Sequence, residues 1–326
     1  MFNDKQTITA DPHDADFAYG VWDRLIFPPS ERASVISGFR TAAFRGPAWF
    51  ARTTDGGDTW EPARKIFDPG QNSQTIANQI AVLPDGDLID LFTLIKITRG
   101  AIRTGEFFTA SVLRSQDRGV TWGPRARSGQ IIPITIARMR TIGVEDPDTG
   151  EPHRVGDIIP DIAVDPVGGN LYAVWQDARF NDMEADAIAF SQSTDGGFTW
   201  SRPIKVNKTP TGIAIDNQQA FTASVHVADD GRVGVTYYDF RSNTAGGGTD
   251  TDHWLVHCHA ACTDTANWSE NHVAGPFDSR RAPVARGFFL GDYVGLDNVG
   301  NTFTPFFTQT TVTDPANEYY AEVSPE

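Results

Sequence analysis

Two segments of the chain share the pattern aromatic-x-Asp-x-Arg, at residues 175–179 and 237–241, and a shorter Trp-Asp-Arg occurs at 22–24. Each longer segment follows an alternating run typical of a β-strand, so its Asp and Arg lie on one side of the strand. A guanidinium group binds a carboxylate through two hydrogen bonds, so these arginines could contact an acidic sugar. The alternative is an Asp–Arg ion pair that anchors a loop, and the repetition of the pattern favours it. The binding candidates here are Arg24, Asp177, Arg179 and Arg241, with Asp239 in the second segment.

Three further segments have the form [Ser/Thr]-x-Asp-x-Gly-x-Thr-Trp and predict tight hairpin turns. In such a turn the Asp carboxylate accepts hydrogen bonds from backbone N–H groups, and Gly takes the position of positive φ. The Trp begins the next strand and covers the hairpin with a large apolar surface. Because the motif occurs three times, we interpret these residues as structural: Asp55, Trp60, Asp117, Trp122, Asp195 and Trp200.

A second repeat alternates with these turns along the chain. It consists of an alternating apolar strand, a turn rich in Asp, Pro, Gly or Asn, and a second strand. A β unit that recurs at this period predicts a β-propeller, an all-β fold whose blades each hold four antiparallel strands. Its turn aspartates recur at intervals of 74, 80, 65 and 67 residues: Asp11, Asp85, Asp165, Asp230 and Asp297.

Together the two repeats make one blade, with strands A and B around the Asp turn and strands C and D around the Trp turn. In the third blade we expect strand A near 161–165, B at 171–176, C at 187–193 and D at 199–206. Five blades are recognisable, and the fifth ends with a strand C near 318–323 and no strand D. We therefore treat residues 1–326 as a single propeller domain.

The order of the strands predicts which connections share a face of the propeller. Turns A–B and C–D lie on one face, so the Trp turns are opposite the B–C and D–A connections. Three of those connections are long, at 25–46, 128–158 and 241–252, and long loops in compact folds are often functional. Within the second, residues 129–157 predict a polar β-hairpin insertion over the central funnel, either a lid or a decoration. We therefore expect a ligand site on this face.

Composition excludes several classes of protein. The 326 residues carry 27 Lys and Arg against 42 Asp and Glu, a net charge of −15, which disfavours binding to nucleic acid. No run of about 18 apolar residues occurs, so we predict no membrane span. No metal or cofactor is predicted.

The two cysteines, Cys258 and Cys262, lie where a fourth Trp turn should follow. In place of the Asp motif stands a degenerate turn that keeps Trp268. A disulfide could stabilise this turn in place of the lost hydrogen bonds; free thiols, or a metal site with the nearby histidines, are the alternatives. A disulfide favours an exported protein, because such bonds persist in oxidising compartments. The first residues carry no signal-peptide pattern.

The three Trp turns resemble the Asp boxes, or bacterial neuraminidase repeats, of the sialidase-like propellers. The strand pair at 162–179 and the segment Gly-Asp-Tyr-Val-Gly-Leu at 291–296 are similar to secreted bacterial members of that superfamily described as exo-α-sialidase-like. This resemblance covers nearly the whole chain and implies six blades. Since five blades are recognisable here, it implies that one upstream blade is absent from this sequence. It also implies a secreted protein, whose signal peptide is likewise absent.

The resemblance also implies a catalytic set. Sialidases bind the substrate carboxylate with three arginines and use a Tyr nucleophile, a partner Glu and an Asp acid/base. The residues of matching type are Asp161, Glu184, Tyr238, Asp239, Asp292 and Tyr293. The matching arginines are Arg24, Arg179 and Arg241, with Arg280, Arg281 and Arg286 as alternatives. The Phe/Tyr-Arg-Ile-Pro motif, which carries the first of these arginines in sialidases, does not occur in this sequence.

Two classes of function follow from these features. The first is a glycoside hydrolase of sialidase type, which acts on terminal acidic sugars by acid/base and covalent chemistry. The second is a non-catalytic propeller that binds a glycan or a protein through the same face. In both classes we expect a monomer whose partner is a glycan or other acidic carbohydrate, without a cofactor.

Overall fold

The computed structural model of the chain describes residues 1–27, 45–99 and 104–325. Within these ranges nearly all regular structure is β-strand, and almost every strand pair is antiparallel, which confirms the all-β class. The helical segments described are short 3-10 turns: Ala178–Phe180, Ile215–Gln218, Thr265–Asn267 and Ser279–Arg281. The chain divides into two compact units, Met1–Met139 with Asp195–Thr199, and Arg140–Thr194 with Trp200–Glu326.

The first unit contains two sheets. Strands β1, β2, β4 and β5 form one sheet in that order, and β3, β6, β7, β8 and β9 form the other. All pairs are antiparallel except β3 with β6. The strands are β1 (Phe2–Ala10), β2 (Ala18–Leu25), β3 (Arg45–Gly46), β4 (Ala48–Thr53), β5 (Arg64–Phe67), β6 (Ser73–Val82), β7 (Leu88–Arg99), β8 (Thr104–Ser115) and β9 (Ile134–Met139).

The second unit contains two four-stranded and two three-stranded sheets. Their strand orders are β12-β13-β14-β15, β16-β17-β18-β19, β21-β22-β23 and β10-β11-β20. The strands are β10 (Val144–Glu145), β11 (Pro152–Arg154), β12 (Asp161–Val164), β13 (Leu171–Asp177), β14 (Ala187–Ser193), β15 (Ile204–Lys205), β16 (Ala220–Val227), β17 (Val233–Asp239), β18 (Asp250–Cys258), β19 (Ser269–Asp278), β20 (Phe288–Phe289), β21 (Gly295–Val299), β22 (Thr302–Gln309) and β23 (Asn317–Tyr320).

Aromatic side chains fill the core between the two sheets of the first unit. Side chains of β2 alternate between buried and half-buried, so that one side of the strand faces this core. From that side Tyr19 stacks on Phe50, their ring centroids 6.2 Å apart. Trp122, from the turn after β8, meets Phe50 edge-on at 5.4 Å. The turn Trp thus closes the core against a strand of the neighbouring sheet.

The second unit repeats this arrangement. Tyr172 stacks on Phe190 at 5.9 Å, and Trp268 meets Phe190 edge-on at 5.0 Å. In both units the ring of the turn Trp is nearly perpendicular to the Phe ring, at 70° and 73°. This is a preferred geometry for aromatic pairs.

Each of the three aspartate turns is held by hydrogen bonds to its carboxylate. Asp117 accepts from the backbone N–H of Thr121 at 2.7 Å, from the Thr121 hydroxyl at 2.7 Å and from Ser115 at 2.8 Å. Asp55 and Asp195 accept from the backbone and hydroxyl of the Thr four residues later in the same way. The Trp residues differ in exposure: Trp122 is buried, Trp200 is half-buried and Trp60 is exposed.

The degenerate fourth turn contains a disulfide between Cys258 and Cys262. Its Trp268 donates an indole hydrogen bond to the carbonyl of Cys262 at 2.9 Å, as Trp122 does to Gly119 at 3.1 Å. This turn is therefore held by a covalent bond together with a hydrogen bond from the Ala266 N–H to Asp264 at 2.9 Å, instead of the Asp–Thr pattern of the other turns.

Several boundaries differ from the expected ones. Residues 129–157 are not one hairpin: β9 is the outer strand of a sheet in the first unit, and the β10–β11 hairpin spans only 144–154. In the third blade the outer strand β15 covers two residues instead of the expected 199–206. Much of the loop at 25–46 lies outside the described residues. In the part of the chain that is described, no helix has both the length and the apolar character needed to cross a membrane.

Candidate functional site

The Asp and Arg of the first aromatic-x-Asp-x-Arg segment bind each other. Asp177, fully buried at the end of β13, accepts from Arg179 Nε at 2.8 Å and from Arg179 Nη2 at 2.6 Å. It also accepts from the indole of Trp175 at 2.9 Å and from the backbone N–H of Arg140 at 3.3 Å. The carboxylate thus ties the loop after β13 to the segment that follows β9.

In the second segment the arginine is enclosed more completely. Arg241 pairs with Asp239 at 2.7 Å and, through two nitrogens, with Glu270 at 2.6 and 2.9 Å, while its guanidinium stacks on Trp254 at 3.7 Å. Burial raises the pKa of Asp239 to about 6, although the charge of Arg241 opposes this. The geometry therefore matches the ion-pair alternative, in which both arginines anchor loops.

Three other predicted residues have different surroundings. The hydroxyl of Tyr238 is buried and hydrogen-bonded to the carbonyl and N–H of Thr308, at 2.8 and 3.0 Å, and burial raises its pKa. Asp161 accepts from Ser224 at 2.6 Å. Glu184 is exposed in the turn before β14.

A different group of carboxylates comes together in the second unit, at the ends of β11 and β20. These strands pair in parallel, so the chain leaves both at the same edge. Asp157 follows β11 and Asp292 follows β20. Gly156, at φ +61°, allows close contact there, because a Cβ built on it would lie 3.1 Å from the Asp292 carbonyl oxygen. The two carboxylates are therefore neighbours through the pairing of two short strands.

A third carboxylate joins this group through the hydroxyl of Thr141. Its oxygen lies 2.6 Å from Asp186 Oδ2 and 3.2 Å from Asp157 Oδ2. A hydroxyl has a single proton and can donate to only one of two carboxylates. The second short contact is favourable only if a carboxyl group donates to the Thr141 oxygen. This geometry favours a proton on one of the two acids.

The electrostatics agree with a shared proton. Burial raises the pKa of Asp186 to about 6, against hydrogen bonds from Thr141, Ile142 and Gln176 that lower it. Burial also raises the pKa of Asp157, and the negative charge of Asp292 adds to the effect. The charge of Asp157 also raises the pKa of Asp186, so ionisation of one acid disfavours ionisation of the other.

The edge of this group carries a cation and an aromatic ring. Arg154, half-exposed, pairs with Asp292 at 3.2 Å and stacks on Phe289 at 4.2 Å. Tyr293, next in sequence to Asp292, is exposed over half of its surface. We name Thr141, Arg154, Asp157, Asp186, Asp292 and Tyr293 the Thr141 cluster.

The remaining arginine candidates lie elsewhere. Arg24, in the first unit, bonds Asn3 at 2.8 Å and stacks on Trp49. Arg280 binds Asp146 at 2.5 Å and so fixes the β10–β11 hairpin, and Arg281 contacts Asp278 at 3.3 Å. Arg286 is exposed.

Sequence reasoning reached two members of the cluster, Asp292 and Tyr293, and missed Thr141, Arg154, Asp157 and Asp186. A signal for Asp186 was present, since it is the last residue before the predicted strand C of the third blade, near the end of a loop already singled out through Glu184. No comparable signal marks Thr141, because its role depends on two acids that are distant in sequence.

No protein-family model matches the chain, and no curated protein matches it. Among solved structures, it is similar to a GH93 alpha-L-arabinofuranosidase of Fusarium graminearum, with 12% identity, 99% of this chain and 81% of the other covered, and a TM-score of 0.51. It is also similar to an alpha-L-arabinanase of Penicillium chrysogenum, with 11% identity, 99% and 93% covered, and a TM-score of 0.50. These similarities concern the fold alone.

Proposed function

We propose that this protein is a secreted glycoside hydrolase of the sialidase-like β-propeller superfamily, with the Thr141 cluster as its active site. The observation that carries the proposal is the single hydroxyl of Thr141 between two carboxyl groups, because it favours a proton on one of the two acids. A proton donor to the leaving oxygen is the first requirement of glycoside hydrolysis. The fold similarity to an arabinofuranosidase and an arabinanase is consistent with action on glycans.

In this mechanism Asp157 is the general acid. It is partly exposed, whereas Asp186 is fully buried and cannot reach a substrate. Asp186 is then a positioning residue, which keeps Asp157 protonated through Thr141. The second carboxylate is Asp292, which pairs with Arg154 and attacks the sugar or activates water. The glycosidic bond breaks as the proton of Asp157 passes to the leaving oxygen. Water supplies the hydroxyl that bonds to the sugar, and its other proton goes to Asp292, or to Asp157 if Asp292 has first formed a covalent intermediate, and Asp157 is thereby reprotonated for the next turnover.

The substrate we propose is a glycan with a terminal acidic sugar, sialic acid included. Arg154 is the arginine of the cluster, and its half-exposed guanidinium can bind a carboxylate in two hydrogen bonds. Tyr293, exposed beside it, offers an aromatic face for the sugar ring or a phenol nucleophile. No role in substrate binding is proposed for Arg179 and Arg241, which are already paired with carboxylates.

The alternative is a non-catalytic propeller that binds a glycan or a protein. One observation favours it: the hydroxyl of Tyr238 is held by Thr308 in the core, so this tyrosine is no accessible nucleophile. In this alternative Arg154 and Tyr293 bind the ligand, and the buried acids only stabilise the loops.

Hydrolysis of a panel of aryl glycosides, with sialosides, uronides and arabinofuranosides, tests the two functions. Loss of a general acid lowers kcat about 10²–10⁴-fold, which we expect for Asp157→Asn. Glu184→Gln is the matched control, because it changes an exposed acid nearby and should leave kcat unchanged. Turnover should fall as the pH rises, because burial raises the pKa of Asp157 and the acid loses its proton only as the pH passes that raised value. Glycan binding without turnover of any member of the panel would support the alternative.

A further inference from the structure

Gln176 joins the Thr141 cluster to the neighbouring sheet through a buried side-chain amide. It lies on β13, is 3% exposed, and its amide has a partner on each side. The amide oxygen accepts from the backbone N–H of Thr222, on β16, at 3.1 Å. The amide nitrogen lies 3.2 Å from Asp186 Oδ2. Because a backbone N–H can only donate, the oxygen must face Thr222 and the NH2 group must face Asp186.

A β-bulge in β16 provides the backbone N–H that holds this amide. The pairing of β16 with β17 shifts between Phe221 and Ser224, and within this shift Thr222 has φ +49°. The hydroxyl of Thr222 donates to the carbonyl of Val155, two residues before Asp157, at 3.0 Å. Bulges are frequent beside active sites, where they redirect side chains. This bulge contacts both the amide and the segment that leads to Asp157.

The hydrogen bonds around Asp186 favour its ionised form. Its carboxyl group faces three donors: the Gln176 amide, the backbone N–H of Ile142 at 3.1 Å and the Thr141 hydroxyl at 2.6 Å. A carboxylate accepts all three bonds, whereas a protonated acid has to use one of its oxygens as a donor. Burial raises the pKa of Asp186, and these three hydrogen bonds oppose that effect.

The Thr141 oxygen, in contrast, faces Asp157 as an acceptor. It lies 3.2 Å from Asp157 Oδ2 and also accepts from the backbone N–H of Gly143 at 3.3 Å. Since the Thr141 proton is given to Asp186, only a proton on Asp157 makes their contact a hydrogen bond. All the polar groups around the Thr141 hydroxyl are then satisfied.

The charges beside Asp157 act in the same direction. Asp292 is its charged neighbour and pairs with Arg154 at 3.2 Å. Burial raises the pKa of Asp157, and the charge of Asp292 adds to this, while hydrogen bonds from Thr141 and from the adjacent backbone oppose it. The member of the pair with the negative neighbour is thus the one that holds the proton.

We infer that Gln176 is a positioning residue, whose amide keeps Asp186 ionised and thereby leaves the proton of the pair on Asp157. The bulge at Thr222 fixes the amide, because its N–H excludes the opposite orientation. Since hydrogen bonds to charged groups are strong, the amide should favour this place of the proton at least about tenfold. The catalytic part of the inference rests on the proposed function, in which Asp157 is the general acid.

Titration of the aspartate carboxyl carbons by NMR, in the full chain, tests where the proton lies. The signals of Asp157 and Asp186 are assigned from their absence in Asp157→Asn and Asp186→Asn. As the pH rises, Asp186 should ionise first, and Asp157 should stay protonated to higher pH. Ionisation in the reverse order overturns the inference, and this measurement requires no change at Gln176.

Replacement of the amide tests the role of Gln176 itself. Gln176→Met removes the amide at nearly the same volume and should raise the pKa of Asp186. Gln176→Asn, which shortens the side chain by one carbon, is a milder variant and should act in the same direction. Gln218→Met is the matched control, because Gln218 is also buried but donates to the carbonyls of Thr211 and Ile213. Unchanged titrations in both Gln176 variants, or an equal change in Gln218→Met, would overturn the inference.

Hydrolysis of the glycosides that wild type turns over tests the catalytic part separately. Gln176→Met should lower kcat several-fold, because a smaller fraction of the molecules carries the proton on Asp157. KM should not change, because the buried amide cannot reach the substrate, and Gln218→Met should change neither constant. An unchanged kcat in Gln176→Met overturns the positioning role. If wild type hydrolyses no member of the panel, the proposed function fails, and the NMR titrations still decide where the proton lies.

Discussion

The turn that ends in Trp122, in the first unit, and the turn that ends in Trp268, in the second, place their indole rings alike. Each ring meets a Phe edge-on, at 5.4 and 5.0 Å, and each indole N–H bonds a carbonyl of its own turn. The bonds that hold the two turns are different. Asp117 accepts three hydrogen bonds in the first, and the Cys258–Cys262 disulfide closes the second.

The two turns thus have the same role, to place a Trp ring against a Phe ring, but different bonds hold them in shape. The aromatic contact is alike in both turns, and removal of a buried Trp from a core costs about 3–5 kcal/mol. The Asp and the disulfide are interchangeable means of holding the loop. The turn held by the carboxylate should be sensitive to acid, and the turn held by the disulfide should be sensitive to reductant.

Removal of either Trp should give the largest effect. Trp→Ala in a core costs about 3–5 kcal/mol, because it loses apolar contact and leaves a cavity. We expect similar losses for Trp122→Ala and Trp268→Ala in the free energy of unfolding, measured with urea. Trp60→Ala is the control, since its exposed ring should cost much less. A loss at Trp268 far below that at Trp122 would show that the two contacts are not equivalent.

Loss of the disulfide should come next. Chain-entropy arguments give about 2 kcal/mol for so short a loop. We therefore expect the double variant Cys258→Ser with Cys262→Ser to lose about this amount in urea. Reductant should lower the stability of wild type to the same level and leave the double variant unchanged. A further fall of the double variant in reductant would contradict the assignment.

The repeats predicted the sheets well, because hairpin turns and strand alternation are local signals. The Asp hydrogen bonds at 117–121 and the alternation of β2 follow from residues close in sequence. The extent of the 129–157 insertion does not follow from residues close in sequence, because β9 is defined by its pairing with β8. The disulfide was one of three alternatives that the sequence left open.

The site was harder to predict for the same reason. The repetition of the pattern favoured an ion pair for Arg179 and Arg241, but only their distances to Asp177 and Glu270 distinguish an ion pair from a ligand site. Asp157 and Asp292 meet because β11 and β20 pair in parallel across more than a hundred residues. No feature of the sequence near Asp157 or near Asp292 predicts that pairing.

The carboxylate turn should be sensitive to acid. Asp117→Ala should cost about 1 kcal/mol, the usual value for a side chain that caps backbone N–H groups. Burial opposes the shift, but hydrogen bonds from Thr121 and Ser115 lower the pKa of Asp117. Its contribution is thus complete above the unfolded value of about 3.9 and is lost as the pH falls through the folded value.

Urea unfolding of wild type and Asp117→Ala from neutral pH downward measures this term. The difference between the two should stay constant to about pH 4 and then shrink. If the difference grew on acidification, the pH dependence would have the wrong sign, and Asp117 would not stabilise the turn through its carboxylate. The difference in the free energy of unfolding between wild type and the double Ser variant should show no such pH dependence, because a disulfide does not titrate.

The backbone of the two turns gives the smallest and most specific test. Gly119 lies at φ +87° in the Asp turn, and Ala261 lies at φ +52° in the disulfide turn. An L-residue in this region costs about 1–2 kcal/mol, whereas Gly adopts it freely but loses about 0.5–1 kcal/mol more entropy on folding. The first term is the larger, so Ala261→Gly should raise the free energy of unfolding by about 0.5–1 kcal/mol. The reverse change, Gly119→Ala, should destabilise clearly, since its Cβ would lie 2.5 Å from Phe50. If Gly119→Ala lowered the free energy of unfolding by no more than Ala261→Gly raises it, the φ value alone, and not the contact with Phe50, would explain both effects.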